Sequence, residues 1–390
     1  MAAESAGEKA AVVEEAEKLC EVGSYREAWE KCASLLKEEP LNNWCLPVQV
    51  CVLMALERTS QLFLLAHKLV DKLPDLPLSW YTVGCYYYAI GQYDACKKYL
   101  AKATGMTPPY GPGWIVFGHA FAVEREHDQA MNCYLKAAKL LPDSHLPLLY
   151  IGLEYSLTNN LKLAENFLKE SLQRSPTDVH VLHELGTLAF RQKKYAVAEE
   201  YFQNALDRLA GGTKPNPLLS LEAKLRSLLP ELWEPLINNM GHCARKRGKL
   251  DEAIAFHRKA LKLVPRNSST YSALGMTHLL KGQVETAIDC LHQALSLRSE
   301  DGVSRTLLAK ALELLDNNHW LWQPRTDTSL FWLDTELPRL APDQLPSNKS
   351  VFLRDNPRLD DSSADLSDVD MDKTGNTSLA GIEEVEMDSS

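Results

Sequence analysis

The sequence has no apolar run near the ~18 residues that a membrane-spanning helix needs. Its first residues, MAAESAGEKAAVVEEAEKL, lack the basic and apolar regions of a secretory signal. The nine cysteines form no C-x-x-C pair and no disulfide framework, so they read as free thiols in a reducing compartment. There is no phosphate-binding G-x-x-x-x-G-K-[ST] loop, no G-x-G-x-x-G after a strand and no G-x-S-x-G elbow. Basic excess is missing too. The net charge is -10, which excludes the broad basic face of a nucleic-acid binder. His180 and His183 share a helix face, but no cysteine or carboxylate completes a metal site around them, and surface or groove histidines are the plainer reading. No catalytic constellation, metal or cofactor is expected.

What the sequence has in abundance is repetition. Prolines 40, 74, 108, 142 and 176 stand 34 residues apart, as do glycines 84, 118, 152 and 186. The glycine column resumes at Gly241 and Gly275. Alanines hold a third column at Ala130, Ala164, Ala198, Ala253 and Ala287, and a fourth small-residue column runs from Ala103 to Ala294. Small residues at fixed spacing mark close helix crossings, where a larger side chain would force the axes apart. Apolar residues at three- and four-residue steps beside them, such as Trp80, Val83 and Tyr87, form one buried stripe. Proline ends each second helix because it cannot continue the hydrogen-bond ladder.

A 34-residue helix-turn-helix unit with these columns resembles the tetratricopeptide repeat. The fold expected is all-α: a superhelical solenoid of about eight units, starting near Lys9, Asn43, Pro77, Gly111, His145, Val179, Glu234 and Ser268, with a capping helix from about Gly302 to Leu315. In the first two units Ala16 and Val50 replace the glycine. Residues 1–8 are expected to be disordered and 9–316 to form the array, with an insertion at about 209–232 holding a glycine-rich turn and one short helix. Residues 317–354 mix Trp320, Trp322, Phe331 and Trp332 with prolines and read as a segment packed on the last repeats. Residues 355–390 carry eleven acidic side chains against two basic ones and read as a disordered tail, in which Ser362 and Ser367 suit an acid-directed kinase.

Such arrays bind partners on their concave face. In each first helix the residues beside the packing stripe point inward, giving Tyr81, Cys85 and Tyr88 in the third unit, then Ile115 and His119, then Leu149 and Leu153. His183, Thr187 and Phe190 follow, then Asn238, His242 and Arg245 in the stretch WEPLINNMGHCARK, then Ser272, Met276 and Leu279. This wall is aromatic and apolar at first and polar or cationic later, which suits an extended peptide: asparagine offers a donor and an acceptor to a peptide group. The plainer alternative for Asn238 and Asn239 is that they satisfy turn or helix-end groups. A carboxylate clamp of the co-chaperone kind would need Lys and Asn on successive first helices, where Tyr81, Ile115 and Leu149 stand instead.

The segments VGCYYYAIGQY, YGPGW, GHAFAVEREHDQAM, HLPLLYIGLEYSLTNNLKLAE, WEPLINNMGHCARK and NSSTYSALG go beyond the generic repeat. Across about Leu46 to Leu297 they resemble the subunit 6 family of the anaphase-promoting complex, or cyclosome. The resemblance implies a non-catalytic scaffold in a multi-subunit ubiquitin ligase of the cell cycle, found in nucleus and cytoplasm and at the spindle. It also implies that the groove encloses the N-terminal segment of a small companion subunit and that N-terminal repeats form a homodimer. Against that pattern the chain reads as shortened at its N-terminus and divergent in its tail, which weakens the homodimer expectation. Two other readings stand beside it: a tetratricopeptide adaptor or co-chaperone outside the ligase, and an enzyme with a helical-repeat fold.

Overall fold

The computed structural model describes residues 11–317 apart from 18, 21–24, 39–41, 43, 107–108 and 210–229. The insertion, the aromatic segment 317–354 from residue 318 on, the acidic tail and the extreme N-terminus lie outside the described residues, as do Pro40 and Pro108. Among the described residues every regular element is a helix.

Helical residues 11–17 and 19–20 precede α1 (Tyr25–Glu38). Helices then come in pairs. They are α2 (Cys45–Ala55) with α3 (Thr59–Lys72), α4 (Pro77–Ala89) with α5 (Tyr93–Gly105), and α6 (Gly111–Val123) with α7 (His127–Leu140). Next come α8 (Leu146–Leu157) with α9 (Leu161–Arg174), and α10 (Val179–Arg191) with α11 (Tyr195–Leu209). The last pairs are α12 (Pro230–Lys246) with α13 (Leu250–Leu263) and α14 (Ser268–Leu280) with α15 (Val284–Leu297), followed by α16 (Gly302–Asn317). The capping helix runs two residues past its expected end. Helix α12 starts before Glu234 and takes Pro235 inside it.

Local chemistry sets these boundaries. Pro77, Pro112 and Pro147 sit in the first turns of α4, α6 and α8, where a missing N–H costs nothing. Asp178 and Asn267 instead cap α10 and α14, each side-chain oxygen accepting from two backbone N–H groups. The C-caps Leu73, Leu141 and Ser175 are each followed by proline.

The glycine column has a single partner column, sixteen residues on. A Cβ at Gly84 would lie 2.6 Å from Leu100, at Gly118 2.3 Å from Tyr134, and at Gly152 2.7 Å from Leu168. At Gly186 it would meet Phe202 at 2.5 Å, at Gly241 His257 at 2.5 Å, and at Gly275 Leu291 at 2.8 Å. Each large side chain is fully buried against the glycine of its own unit. A second periodic feature was not legible in composition. The turn between paired helices uses the left-handed region at residues 57, 91, 125, 159, 193, 248 and 282, yet only Gly91, Gly248 and Gly282 are glycines. Glu57, Arg125, Asn159 and Lys193 hold φ of 53° to 63° there.

Candidate functional site: the inner face of the first helices

The inner face is built from α4, α6, α8, α10, α12 and α14, which the repeat presents in the same orientation. In the third unit Tyr81 meets the edge of Tyr110 at 5.1 Å and Tyr88 that of Tyr93 at 5.7 Å. Both tyrosines are buried, and burial drives their phenols well above the usual range. Leu149 and Leu153 are buried in the fifth unit, and Phe190, half-buried in the sixth, lies edge-on to Tyr195 at 5.3 Å.

His119 lies elsewhere than on an open wall. Its residue is 0% exposed; its Nδ1 is 2.8 Å from the Tyr134 hydroxyl and its ring stands edge-on to Tyr150 at 4.4 Å. It packs between neighbouring units and offers no surface. Burial lowers its pKa to about 3.

From the sixth unit onward the interior becomes polar, and its hydrogen bonds are specific. His183 Nδ1 lies 3.2 Å from Glu184 Oε1, so Nε2 is the acceptor, and the Asn239 amide donates to it at 3.2 Å. In the seventh unit the large apolar column holds His257, where the other units have leucine, tyrosine or phenylalanine. Its Nδ1–H donates to Asn238 Oδ1 at 2.7 Å, and its ring stands edge-on to that of His242 at 5.1 Å. Burial, with the charges of Arg245 and His278 added, lowers the His257 pKa to about 3. Burial also takes His242 well below its ordinary value, helped by His257 and Arg245. Arg245 is itself brought down to about 10 by burial. The Asn238 side-chain oxygen is therefore committed to a buried histidine and not to a turn or helix end. Removing it would strand the His257 N–H, so Asn238→Ala is not a neutral probe of binding.

Among the described residues, Asn239 Oδ1, His242 Nδ1 and His257 Nε2 are buried polar atoms of this section without a hydrogen-bond partner. With Nδ1–H committed to Asn238, His257 Nε2 is an acceptor awaiting a donor, as is Asn239 Oδ1. Buried polar atoms in native folds are nearly always satisfied, so these atoms call for water or a bound group. His180 does not join His183 there; its ring lies 4.9 Å from that of Trp233.

Sequence reasoning missed a staple between neighbouring units. His145 Nε2 lies 2.5 Å from Asp178 Oδ2, joining the start of α8 to the cap of α10. At the equivalent place one repeat pair later, Glu234 accepts from Asn267 at 3.0 Å and from Thr270 at 2.7 Å. The spacing of 33 residues is common to both pairs and would have been the signal. Burial pushes the Asp178 carboxyl up, but the His145 bond, the nearby His180 and the backbone N–H of His180 outweigh it, and its pKa falls below the usual carboxylate value. Asp178→Ala should lower stability by about 1–2 kcal/mol through loss of the cap alone. Chemical denaturation measures this, and Asp178→Asn, which keeps a capping oxygen, should recover most of it.

The tetratricopeptide repeat family matches residues 78–110 and 234–300. The helix pairs, the glycine–partner columns and these matches define a tetratricopeptide-repeat solenoid. Within that class the chain is 44% identical over 291 residues to the human "Cell division cycle protein 16 homolog", covering 74% of this chain and 45% of that protein. It is 37% identical over 288 residues to the Arabidopsis thaliana "Anaphase-promoting complex subunit 6", covering 74% of this chain and 50% of that one. Among solved structures it is similar to the subject of "Crystal structure of APC/C hetero-tetramer Cut9-Hcn1", with a TM-score of 0.68 and 28% identity, covering 77% of this chain and 55% of the other. Its resemblance is thus to subunit 6 of the anaphase-promoting complex, and the chain spans about half the length of the curated relatives it matches. No described helix is long and apolar enough to cross a membrane.

Proposed function

We propose that the chain is a non-catalytic scaffold subunit of the anaphase-promoting complex, acting in nucleus and cytoplasm, that holds an extended segment of a small companion subunit along its inner face. The observation that carries the assembly reading is the 44% identity over 291 residues, most of the repeat array. The groove reading draws support from the change along the inner face, from Tyr81, Tyr88, Leu149 and Leu153 to His183, Asn239 and His242, and from the unmatched acceptors of the polar section. Peptide N–H groups are the donors such acceptors lack. His183, His242 and Arg245 form the polar half of the wall and Phe190 adds an aromatic position to it, with Asn238 as support for His257 and His119 as packing behind the wall.

Affinity purification of the full chain from mitotic cells tests the assembly reading. Recovery of cyclosome subunits is the expected result, and a preparation containing only chaperones would remove it. The groove reading has a separate test. His242→Phe keeps the ring packed against His257 but deletes its hydrogen-bonding nitrogens. It should weaken binding of the co-purified companion's N-terminal peptide by about tenfold, the size of one lost polar contact, while stability changes by less than about 1 kcal/mol. Calorimetric titration at unchanged affinity would rule out His242 as a contact.

A further inference from the structure

The last helix follows the first-helix pattern without a paired second helix among the described residues. α16 begins 34 residues after α14 begins, so it stands where a further unit would start. Leu307, Ala311 and Leu314 are buried in one cluster with Leu279 and Leu291. The neighbouring face is different. Ala309 occupies the glycine column, 34 residues after Gly275, and Leu312 stands in the place of Tyr87, Phe121, Tyr155 and His278. In units three to eight both places are buried or half-buried, because the second helix of the same unit lies over them. On α16 both are exposed, Leu312 at 45% and Leu315, a turn further on, at 36%. With half-buried Leu308 they form an apolar stripe at four- and three-residue steps. A repeat array ordinarily closes on a polar outer face.

The residues that follow do not supply the missing helix in repeat form. The position sixteen residues after Ala309, held by leucine, tyrosine, phenylalanine or histidine in the other units, is Arg325, and Pro324 falls inside what would be the helix. They do supply apolar bulk, since Trp320 and Trp322 stand three and five residues beyond Asn317. Extended chain carries them at most about 11 Å and 18 Å from the helix end, while Leu308 lies about 14 Å back along the axis. Aromatic packing on this face recurs in the array: Tyr99 stacks on Trp80 and Tyr87, and Phe167 on Tyr155.

We propose that the stripe of Leu308, Leu312 and Leu315 is the docking face of the chain's own segment 318–332, anchored by Trp320 and Trp322, which closes the array in place of a second helix. It is separate from the inner face, whose equivalents on α16 are Thr306, Lys310 and Glu313. The tethered segment is favoured over a second copy. A linker of a few residues gives an effective concentration on the order of millimolar, whereas two copies, each of net charge -10, repel.

Hydrogen exchange of the full chain, read by mass spectrometry, tests the cover. Amides of α16 are expected to be protected, and Trp320→Ser with Trp322→Ser should speed their exchange at least about tenfold, as an uncovered terminal helix opens more often. Trp44→Ser, at a tryptophan 72% exposed in the second unit, should leave α16 unchanged. The reciprocal experiment is limited chymotrypsin digestion. Leu312→Lys with Leu315→Lys, whose positive charges suit a helix C-terminus, should speed cleavage after Trp320 and Trp322 at least about tenfold. Unchanged exchange of α16 in the tryptophan variant, or unchanged cleavage in the lysine variant, would overturn the proposal. So would a dimer, seen by light scattering, that the lysine variant converts to monomer, since the stripe would then belong to a second copy.

Discussion

Acidification from pH 6 to pH 5 is expected to destabilise the array by at least about 2 kcal/mol, with His119 and His257 contributing roughly 1.2 kcal/mol each and His242, His180 and His278 acting in the same direction. His119 and His257 have pKa values lowered to about 3, and His242 is held well below its ordinary value, in each case first by burial. A depressed base binds fewer protons folded than unfolded. As pH falls below the unfolded value near 6.5, the unfolded chain gains protons the folded one refuses, and stability declines. His127 acts in the opposite sense. The bond that its Nδ1–H donates to Glu154 at 2.7 Å raises its pKa, so its contribution is complete below about 6.5 and is lost only as pH rises. Urea denaturation at pH 7, 6 and 5 measures the slope. His257→Leu, which restores the apolar column, should remove roughly 1.2 kcal/mol of it. A flat profile over that window would mean that these rings are hydrated in solution.

Gly118→Leu should cost about 3 kcal/mol or more, the upper end of overpacking effects. The added Cβ alone would lie 2.3 Å from the Tyr134 ring. Tyr134 has nowhere to go: it is fully buried, its hydroxyl is bonded to His119, and its ring is stacked on Tyr150 at 5.4 Å. Gly152→Leu should behave similarly but more mildly, because there the nearest atoms belong to the Leu168 side chain, at 2.7 Å. A substitution at Gly91 fails for a different reason. Nothing lies within 4 Å of a Cβ there, but φ is +75°, so Gly91→Ala should cost only about 1–2 kcal/mol of backbone strain. Thermal melts followed by circular dichroism should rank the three in that order. If Gly118→Leu melts with the unaltered protein, the glycine column is not a packing device.

How much of this was legible in advance varies from residue to residue. Gly84, Gly118, Gly152 and Gly186 were readable because close helix crossing demands a missing side chain, and that demand repeats with the unit. Their partners Leu100, Tyr134, Phe202 and His257 were not readable as a column, since many large side chains fill the same space. The turn position at Glu57, Arg125, Asn159 and Lys193 was hidden because surrounding hydrogen bonds impose the left-handed conformation whatever residue stands there. Lys193 N–H, for instance, bonds to the carbonyl of Phe190 at 2.9 Å. The His145–Asp178 staple joins residues of different units, and neither residue alone announces it.

The inner wall was read as a set of positions on one helix face, because helical period alone dictates which side chains share a face. Period says nothing about depth. The tertiary structure decided that His119 belongs to the packing between units and that Asn238 is spent on His257. Both outcomes depend on how closely the next helix approaches, and that distance is set by side chains far away in the sequence. The amino-acid sequence by itself determined the repeat, its length and its all-helical character, since these follow from local steric demands repeated many times. Which polar groups remain unmatched, and which face of α16 its neighbours leave open, was decided only when the units stacked.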